Sequence, residues 1–156
     1  MKKIFTVVFL LFLSYQAFSQ VPLYRYYNNR LKMHWYTVNF NKLGNGANGW
    51  VLEGPQCRVF TAPDAQRGIV PFSSYYNAQT ADHYYTVRRL ILPNYTDSGP
   101  EGFIALSQLP ATIPLYEYYN SIVHTHFYTT DKAELGRGGF DGFILAGIIG
   151  YVYPAR

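Results

Sequence analysis

Three histidines recur in one sequence context, and their imidazole rings are the clearest candidates for chemistry in this chain. His34, His83 and His126 are each followed by an aromatic residue, a tyrosine and a threonine. An imidazole can bind a ligand, exchange a proton near neutral pH or coordinate a metal. Because alternate residues of a strand share a face, each histidine should lie beside the tyrosine two positions later. Those tyrosines are Tyr36, Tyr85 and Tyr128.

Each of these histidines follows a Tyr-Tyr-Asn triplet at a constant distance. The aligned segments are PLYRYYNNRLKMHWYT from Pro22, PFSSYYNAQTADHYYT from Pro71 and PLYEYYNSIVHTHFYT from Pro114. A pattern of this length that recurs three times without a gap indicates internal duplication. The sequence therefore divides into the repeats 22–70, 71–113 and 114–156.

The recurring polar residues allow three interpretations. In the first, they bind ligand in three equivalent pockets, one per repeat. In the second, the histidines and asparagines only fix hairpin loops through local hydrogen bonds. In the third, the three imidazoles converge on one metal ion. The candidate ligand-binding residues are Asn28, His34, Tyr36, Asn77, His83, Tyr85, Asn120, His126 and Tyr128.

The composition of each repeat predicts β-strands and turns. Tyrosine, leucine and threonine dominate the segments on either side of the asparagine, and the five residues after it suit a hairpin loop. Further on, GWVLEGPQCRVF in the first repeat aligns with GFILAGIIGYVY in the third, which indicates a second strand pair bent at glycine. We therefore predict an all-β domain, a β-trefoil-like barrel of three pseudo-symmetric repeats with about four short strands each. A flatter arrangement of three hairpin units is the alternative.

Two further expectations concern single positions. The place of Arg25 is taken by Ser74 and Glu117 in the other repeats, so this position is predicted to face solvent. In the second repeat, EGFIALSQL is aligned so that Glu101 corresponds to Glu53.

The N-terminus has the pattern of a bacterial secretory signal peptide. Lys2 and Lys3 precede an apolar run, Ile4 to Leu13, and Ala17-Phe18-Ser19 fits a cleavage site. The apolar run is too short for a membrane span, and no membrane span is predicted elsewhere. We expect residues 1–19 to be removed, which leaves one secreted or periplasmic domain over residues 20–156.

Charge and cysteine content argue against several classes of function. Without the two signal lysines, 11 basic residues stand against 9 acidic ones, and no basic stripe indicates nucleic-acid binding. Cys57 is alone, so it cannot form an internal disulfide, and a small buried apolar role is expected. No acidic residue recurs in all three repeats, and no nucleophile or phosphate-loop motif is present. We therefore predict no enzymatic activity and no cofactor.

The paired motifs resemble a widespread family of secreted repeat domains of uncharacterised function. The resemblance rests on PLYRYYN, on H-[FWY]-Y-T and on the closing GFILAGIIGYVYP, and it covers nearly all of residues 20–156. The family motif usually has Gly-Asp before the histidine. Here only Asp82 matches, since Met33 and Thr125 take that place in the other repeats. Such domains occur alone or appended to secreted hydrolases and adhesins, which implies an accessory or binding role.

We therefore predict a secreted, non-enzymatic recognition module. The expected ligand is a carbohydrate of a cell wall, an extracellular polysaccharide or a host glycan, with aromatic rings stacked on sugar rings. The alternative is a protein-binding adhesin or inhibitor module, and a metal-dependent hydrolase is a third possibility. The expected partner is a glycan or an extracellular protein, bound by a monomer through repeated weak sites.

Overall fold

The structure, a computed structural model, describes residues 19–136 and 140–156. Apart from Ser19, the predicted signal peptide lies outside these residues. The described residues form nine strands, three for each repeat, and no helix among them is long and apolar enough to cross a membrane. The strands are β1 (Gln20–Asn28), β2 (Met33–Thr37), β3 (Trp50–Phe60), β4 (Ile69–Tyr76), β5 (His83–Thr86), β6 (Thr96–Ala105), β7 (Ile113–Asn120), β8 (Thr125–Thr129) and β9 (Phe143–Val152).

Each repeat folds as a three-stranded antiparallel unit with its first strand in the middle. β1 pairs with β2 on one side and β3 on the other, and β4 and β7 occupy the same place in their units. The all-β prediction is confirmed. The prediction of four strands per repeat is wrong, because the GWVLEGPQCRVF segment forms one continuous strand, β3, instead of a strand pair.

The long third strand of each unit bulges at a glycine, as the sequence predicts. Register shifts interrupt the pairing of β1 with β3, of β4 with β6 and of β7 with β9. The glycine at each irregularity has a positive φ, a conformation that residues with a Cβ rarely adopt. These glycines are Gly54 (φ +120°), Gly99 (φ +84°) and Gly147 (φ +151°).

The strand register corrects one predicted alignment. Gly54 lies opposite β1 at the same place where Gly99 lies opposite β4. Gln56 and Glu101 each lie two residues after the glycine of their repeat. Glu101 therefore corresponds to Gln56 and not to Glu53. The sequence alignment is misled by the Glu-Gly pair of the second repeat, which lies three residues further along the strand.

The three units meet in a cycle at the ends of their long strands. The strand ladders alone form an open antiparallel path, β2-β1-β3-β6-β9-β7-β8, with β4 and β5 joined through β6, and an isolated bridge from Arg58 to Tyr153 completes the cycle. The predicted β-trefoil arrangement is not confirmed, since each unit has three strands instead of four and the ladder path is open. The pairs that join the units are Phe60 with Phe103, Ala105 with Tyr151 and Tyr153 with Arg58.

Three buried tyrosines hold the units together at the centre. The Tyr36 hydroxyl donates to the carbonyl of Tyr128 and accepts from its N–H; Tyr128 does the same to Tyr85, and Tyr85 to Tyr36. All six bonds measure 2.7–2.9 Å. Burial raises the pKa of each hydroxyl, so all three remain neutral donors. This closed cycle relates the three repeats by pseudo-threefold symmetry.

Aliphatic and aromatic side chains surround this tyrosine triad. The first strand of each unit contributes one fully buried apolar residue, and the third strand contributes another. Cys57 is also fully buried there, and burial raises its pKa to about 12, so the thiol stays protonated and packs as an apolar group. The strand residues at the core are Leu23, Phe72, Leu115, Val59, Ile104 and Val152.

Candidate ligand-binding clefts

Each recurring histidine lies at a junction between two repeats. Its ring packs on a tyrosine of its own repeat, with ring centroids 4.8 Å apart in all three cases. On its other side, the ring contacts an aromatic residue of the preceding repeat. This aromatic residue comes directly after the histidine of that repeat. The contacts across the junctions are His34 with Phe127 at 4.7 Å, His83 with Trp35 at 4.8 Å and His126 with Tyr84 at 4.4 Å.

The histidines therefore belong to three separate junctions. The pseudo-threefold axis is occupied by the tyrosine triad, so the three imidazoles do not converge on one point. In the described part of the chain, no group of three or more His, Cys, Asp or Glu side chains could hold a metal ion. The interpretation of a shared three-histidine metal site is wrong.

A cleft of about 350 Å³ lies between the first and second repeats, and we name it the first–second cleft. The first repeat contributes its indole rings, and the second repeat contributes a histidine, a tyrosine and small polar groups. Both tryptophans of the chain line this cleft. Its lining residues are Leu31, Trp35, Lys42, Trp50, Ser74, Tyr76, Ala81, His83, Ser98 and Glu101.

A larger cleft of about 540 Å³ lies between the third and first repeats, and we name it the third–first cleft. The third repeat contributes to this cleft the positions that the first repeat contributes to the first–second cleft. The described lining residues are Tyr27, Lys32, His34, Glu53, Asn120, Val123, Phe127, Glu134, Leu135, Asp141 and Phe143.

The two clefts share an aromatic frame at equivalent positions of the repeats. In both, a histidine and the tyrosine packed on it come from one repeat, and two aromatic rings come from the preceding repeat. The equivalent pairs are His83 and His34, Tyr76 and Tyr27, Trp35 and Phe127, and Trp50 and Phe143.

The polar side of the first–second cleft contains a buried carboxylate, that of Glu101. Glu101 is 5% exposed and accepts hydrogen bonds from the Thr37 hydroxyl, the Val38 N–H and the Lys42 ammonium, each at 2.9 Å. The carboxylate is thus satisfied by the protein itself. Lys42 is 39% exposed, and its ammonium lies 5.9 Å from the centre of a ring of Trp35. It can therefore present its remaining N–H groups to a ligand in the cleft.

The polar side of the third–first cleft is an arginine held between two glutamates. The Nε of Arg25 donates to Glu53 at 2.7 Å, and its two terminal nitrogens donate to Glu134 at 2.9 and 3.1 Å. The Arg25 side chain is 14% exposed, whereas the two glutamates are 32% and 33% exposed. Burial and the neighbouring Arg25 lower the pKa of His34 to about 3, so its imidazole is neutral at physiological pH.

Tyrosine hydroxyls hold the loops that supply Lys42 and Glu134. Tyr26 donates to the carbonyl of Gly44 at 2.8 Å, and Tyr118 donates to the carbonyl of Gly136 at the same distance. Both tyrosine side chains are buried in the core. The rigid core thereby fixes the two loops whose charged residues distinguish the clefts.

The junction between the second and third repeats uses the aspartate of the family motif. Asp82 is fully buried and accepts from the hydroxyl of Tyr95 at 2.9 Å. It also accepts from the backbone N–H of His126 at 3.2 Å, and its Oδ2 lies 3.0 Å from the Nδ1 of that ring. Tyr95 occupies the position of Trp50 and Phe143 in the other repeats. The aspartate therefore orients a histidine of the next repeat.

The other two junctions lack this carboxylate. At the third–first junction the aspartate is replaced by Thr125, which is 1% exposed. Its Oγ1 and the Nδ1 of His34 are both buried without a hydrogen-bond partner among the described residues. At the first–second junction the replacement is Met33, which is apolar.

The predicted ligand-binding residues separate into three groups. The asparagines form the hairpin turns, because each side-chain oxygen accepts from the N–H groups two and three residues further on. The triad tyrosines Tyr36, Tyr85 and Tyr128 are at most 1% exposed, so burial removes them from the ligand-binding set. His34 and His83 line the two clefts, whereas His126 packs in the third junction.

The asparagines differ in their access to the clefts. Asn28, Asn77 and Asn120 are 4%, 7% and 3% exposed. The amide nitrogen of Asn120 also donates to the Asp141 carbonyl at 2.7 Å. Asn120 contributes to the wall of the third–first cleft through this bonded side chain. Loop formation, which the second interpretation assigned to these residues, is the role that their contacts show.

The prediction that position 25 faces solvent is wrong. Arg25 is held by two glutamates, and its equivalent Ser74 is 2% exposed and lines the first–second cleft. The third equivalent, Glu117, is buried enough that desolvation raises its pKa. The variation of this position among the repeats favours exposure, but the glutamates that hold Arg25 come from another strand and from another repeat.

The comparison with known families gives a plain result. A family model described as a domain of unknown function (DUF5648) matches residues 9–57 and 22–153. The chain belongs to this family. No curated protein and no solved structure matches it.

Proposed function

We propose that this protein is a secreted, non-enzymatic carbohydrate-binding module whose binding sites are the clefts between its repeats. The observation that supports it best is the first–second cleft. Two indole rings, a tyrosine and a histidine form its walls, and hydroxyl, ammonium and carboxylate groups lie among them. Sugars present the matching surface, since apolar C–H faces pack on aromatic rings and the hydroxyls at the ring edge form hydrogen bonds.

The geometry of the tryptophans favours ring stacking. Trp35 lies nearly parallel to His83, at 11° and 4.8 Å, which fixes its orientation. Trp50 meets Trp35 and His83 at steep angles of 71° and 79°. Both indoles are half-buried, so their rings combine a rigid setting with an accessible surface. Rigid aromatic groups lose little conformational entropy when they bind.

The polar groups of the same cleft suit sugar hydroxyls. Lys42 offers N–H donors, and the exposed Ser98 offers a hydroxyl that can donate or accept. Both oxygens of the Glu101 carboxylate are bonded by the protein, and we assign it the role of orienting Lys42 and not of acid–base chemistry. A recognition role therefore fits this cleft better than hydrolysis does.

The test is binding of the purified protein to a glycan array and to insoluble polysaccharides, followed by titration of tryptophan fluorescence. Because both tryptophans line the first–second cleft, this fluorescence reports on that cleft. We expect Trp50→Ala to reduce affinity for the selected glycan by about tenfold or more, as for a central aromatic contact. The matched variant Phe143→Ala, at the equivalent position of the third–first cleft, should leave the tryptophan signal unchanged.

Absence of binding to every glycan would reject the proposal, and so would binding that both variants retain. Export is tested separately by N-terminal sequencing of the exported protein. We expect its first residue to be Gln20, and an exported protein that still carries residues 1–19 would contradict secretion through signal cleavage.

A further inference from the structure

We propose that the third–first cleft selects a sugar that carries a free ammonium group, such as a de-N-acetylated hexosamine. This inference rests on the proposed carbohydrate-binding function and adds the ligand class of one cleft. The first–second cleft is expected to take a neutral sugar. The two clefts differ in the charges of their lining residues.

Carboxylates outnumber cations among the described residues of the third–first cleft. Three acids, Glu53, Glu134 and Asp141, line it, against Lys32 and the Arg25 that the two glutamates hold. His34 adds no charge, because burial and Arg25 lower its pKa to about 3. In the first–second cleft, by contrast, Lys42 and Glu101 neutralise each other at 2.9 Å.

The acids of the third–first cleft remain accessible to a ligand. Glu53 uses Oε2 for Arg25, at 2.7 Å, and no described residue bonds its Oε1. Asp141 is exposed, and its described bond is made by the backbone carbonyl and not by the carboxylate. Two carboxylate groups can thus accept from a ligand N–H without breaking a bond within the protein.

Aromatic rings complete a site suited to a cation. Tyr27 and Phe143 stand on opposite sides of the junction, and each presents a half-buried ring to the cleft. The face of an aromatic ring attracts an ammonium group, and nearby carboxylates strengthen this attraction. The cleft volume of about 540 Å³ falls within the range of small-ligand sites.

An N-acetylated sugar would fit this cleft less well. Its amide carries no charge, and its carbonyl oxygen would face carboxylates that cannot donate a hydrogen bond. The free amine offers three donors and a positive charge. The expected preference is therefore for the amine form of an otherwise identical oligosaccharide.

The experiment compares two tetrasaccharides with the same backbone: β-1,4-linked N-acetylglucosamine and β-1,4-linked glucosamine. Binding is measured by calorimetry at pH 6 and low salt, and the site is assigned from the NMR signals of His34 and His83. We expect the glucosamine tetramer to bind more tightly and to shift the His34 signals. Added salt should weaken this binding, because partly exposed charges are screened.

Two variants test the carboxylates. Asp141→Asn should fold normally, since Asp141 has a φ of +49° and asparagine tolerates the left-handed conformation. Glu53→Gln keeps a hydrogen-bond acceptor next to Arg25. Each should reduce affinity for the glucosamine tetramer by about two- to fivefold, the effect of one partly exposed charge. Neither substitution should change binding at the first–second cleft, which tryptophan fluorescence measures.

A gain-of-function variant gives the matched control. Ser98 holds in the first–second cleft the position that Glu53 holds in the third–first cleft, and it is exposed. Ser98→Glu should therefore introduce a preference for the glucosamine tetramer that tryptophan fluorescence detects. Equal affinity of the two tetramers, or a preference for the acetylated one, would overturn this inference while the proposed function stands. If no glycan binds at all, the proposed function fails and this inference fails with it.

Discussion

The first–second cleft and the third–first cleft have the same aromatic frame but differ in the ionic groups around it. In the first, a buried glutamate accepts from an exposed lysine; in the second, a half-buried arginine donates to two exposed glutamates. Lys42 and Glu134 occupy equivalent positions, and so do Ser98 and Glu53. The exposed group of each cleft therefore has a different charge, although both surround a histidine packed between rings.

This difference shows which positions of a repeat are constrained by packing. The histidine and its aromatic neighbours join one repeat to the next, and every junction keeps a histidine between aromatic rings. The polar positions differ between copies: Lys42 corresponds to Glu134, and Ser98 corresponds to Glu53. Duplication has thus preserved the walls of the clefts and diversified their chemistry.

The strongest test of the shared frame is removal of one hydroxyl from the tyrosine triad. Tyr85→Phe deprives the backbone N–H and carbonyl of Tyr36 of their buried partner, at 2.8 and 2.7 Å. Two unsatisfied buried groups should lower the free energy of unfolding by about 3 kcal/mol. Tyr36→Phe removes the same pair of bonds at the third–first junction and should cost about as much. Urea denaturation measures both, with Tyr27→Phe, whose ring lies at the cleft, as the control.

Equal losses in Tyr85→Phe and Tyr36→Phe would show that both junctions depend on the triad alike. A loss as small as that of Tyr27→Phe would mean that the cyclic bonds do not hold the repeats together. A large difference between the two triad variants would mean that the ionic groups of one cleft reinforce its junction.

A second comparison concerns the two glutamates. Glu101→Gln replaces a carboxylate that is 5% exposed and accepts from three donors, so one of these donors faces an N–H₂ group instead. We expect a loss of about 2 kcal/mol in the free energy of unfolding. Glu53→Gln affects a side chain that is 32% exposed, and its ion pair should contribute less than about 1 kcal/mol. Thermal and urea unfolding at pH 7 would contradict this if Glu53→Gln were the more destabilising change.

Much of this architecture could be predicted from the repeated motif. The spacing of Tyr-Tyr-Asn and His-x-Tyr-Thr defines the repeats, the hairpins and the glycine bulge, because these depend on local chain geometry. The number of strands could not be predicted in the same way. A long bulged strand and a bent strand pair leave similar patterns in segments such as GWVLEGPQCRVF, and only tertiary pairing distinguishes them.

The clefts were harder to predict than the histidines that line them. Each cleft combines residues of two repeats, and an alignment within one repeat does not show which side chains meet across a junction. Arg25 illustrates this, because its partner Glu134 is far away in sequence and its variability suggested exposure. The role of Tyr36 could not be predicted from one repeat for a related reason. Its strictly repeated position reflects contact with its own copies on the axis.

Acid should destabilise the protein through the histidines of both clefts. Burial lowers the pKa of His34 to about 3 and that of His83 to about 4, from an ordinary value of 6.5. The unfolded chain therefore binds these protons first, and the free energy of unfolding should fall as the pH drops below 6.5. Between pH 6.5 and 5, before most carboxylates titrate, each histidine should contribute a loss of about 1.6 kcal/mol, so the combined loss should be about 3 kcal/mol.

The slope of unfolding free energy against pH reports on each histidine. Between pH 6.5 and 5, His34→Gln and His83→Gln should flatten the slope by about the same amount, because both folded pKa values lie below this range. The slope, and not the stability at one pH, is the relevant quantity, because either substitution also changes packing. A wild-type stability that is constant or rises between pH 6.5 and 5 would contradict neutral, buried imidazoles in both clefts.

The smallest predicted effect concerns the hydroxyl of Thr125, which is buried in the third–first junction without a partner among the described residues. Burying an unpaired hydroxyl is unfavourable, and valine has nearly the same shape. Thr125→Val should therefore raise the free energy of unfolding by about 0.5–1 kcal/mol. The equivalent position of the first repeat is already apolar, as Met33. Thr37→Val is the matched control and should destabilise, since the Thr37 hydroxyl donates to Glu101 at 2.9 Å. If Thr125→Val instead destabilises as much as Thr37→Val, the Thr125 hydroxyl has a hydrogen-bond partner in solution. The polar pair of Thr125 and His34 would then join the third repeat to the first, as Asp82 and His126 join the second repeat to the third.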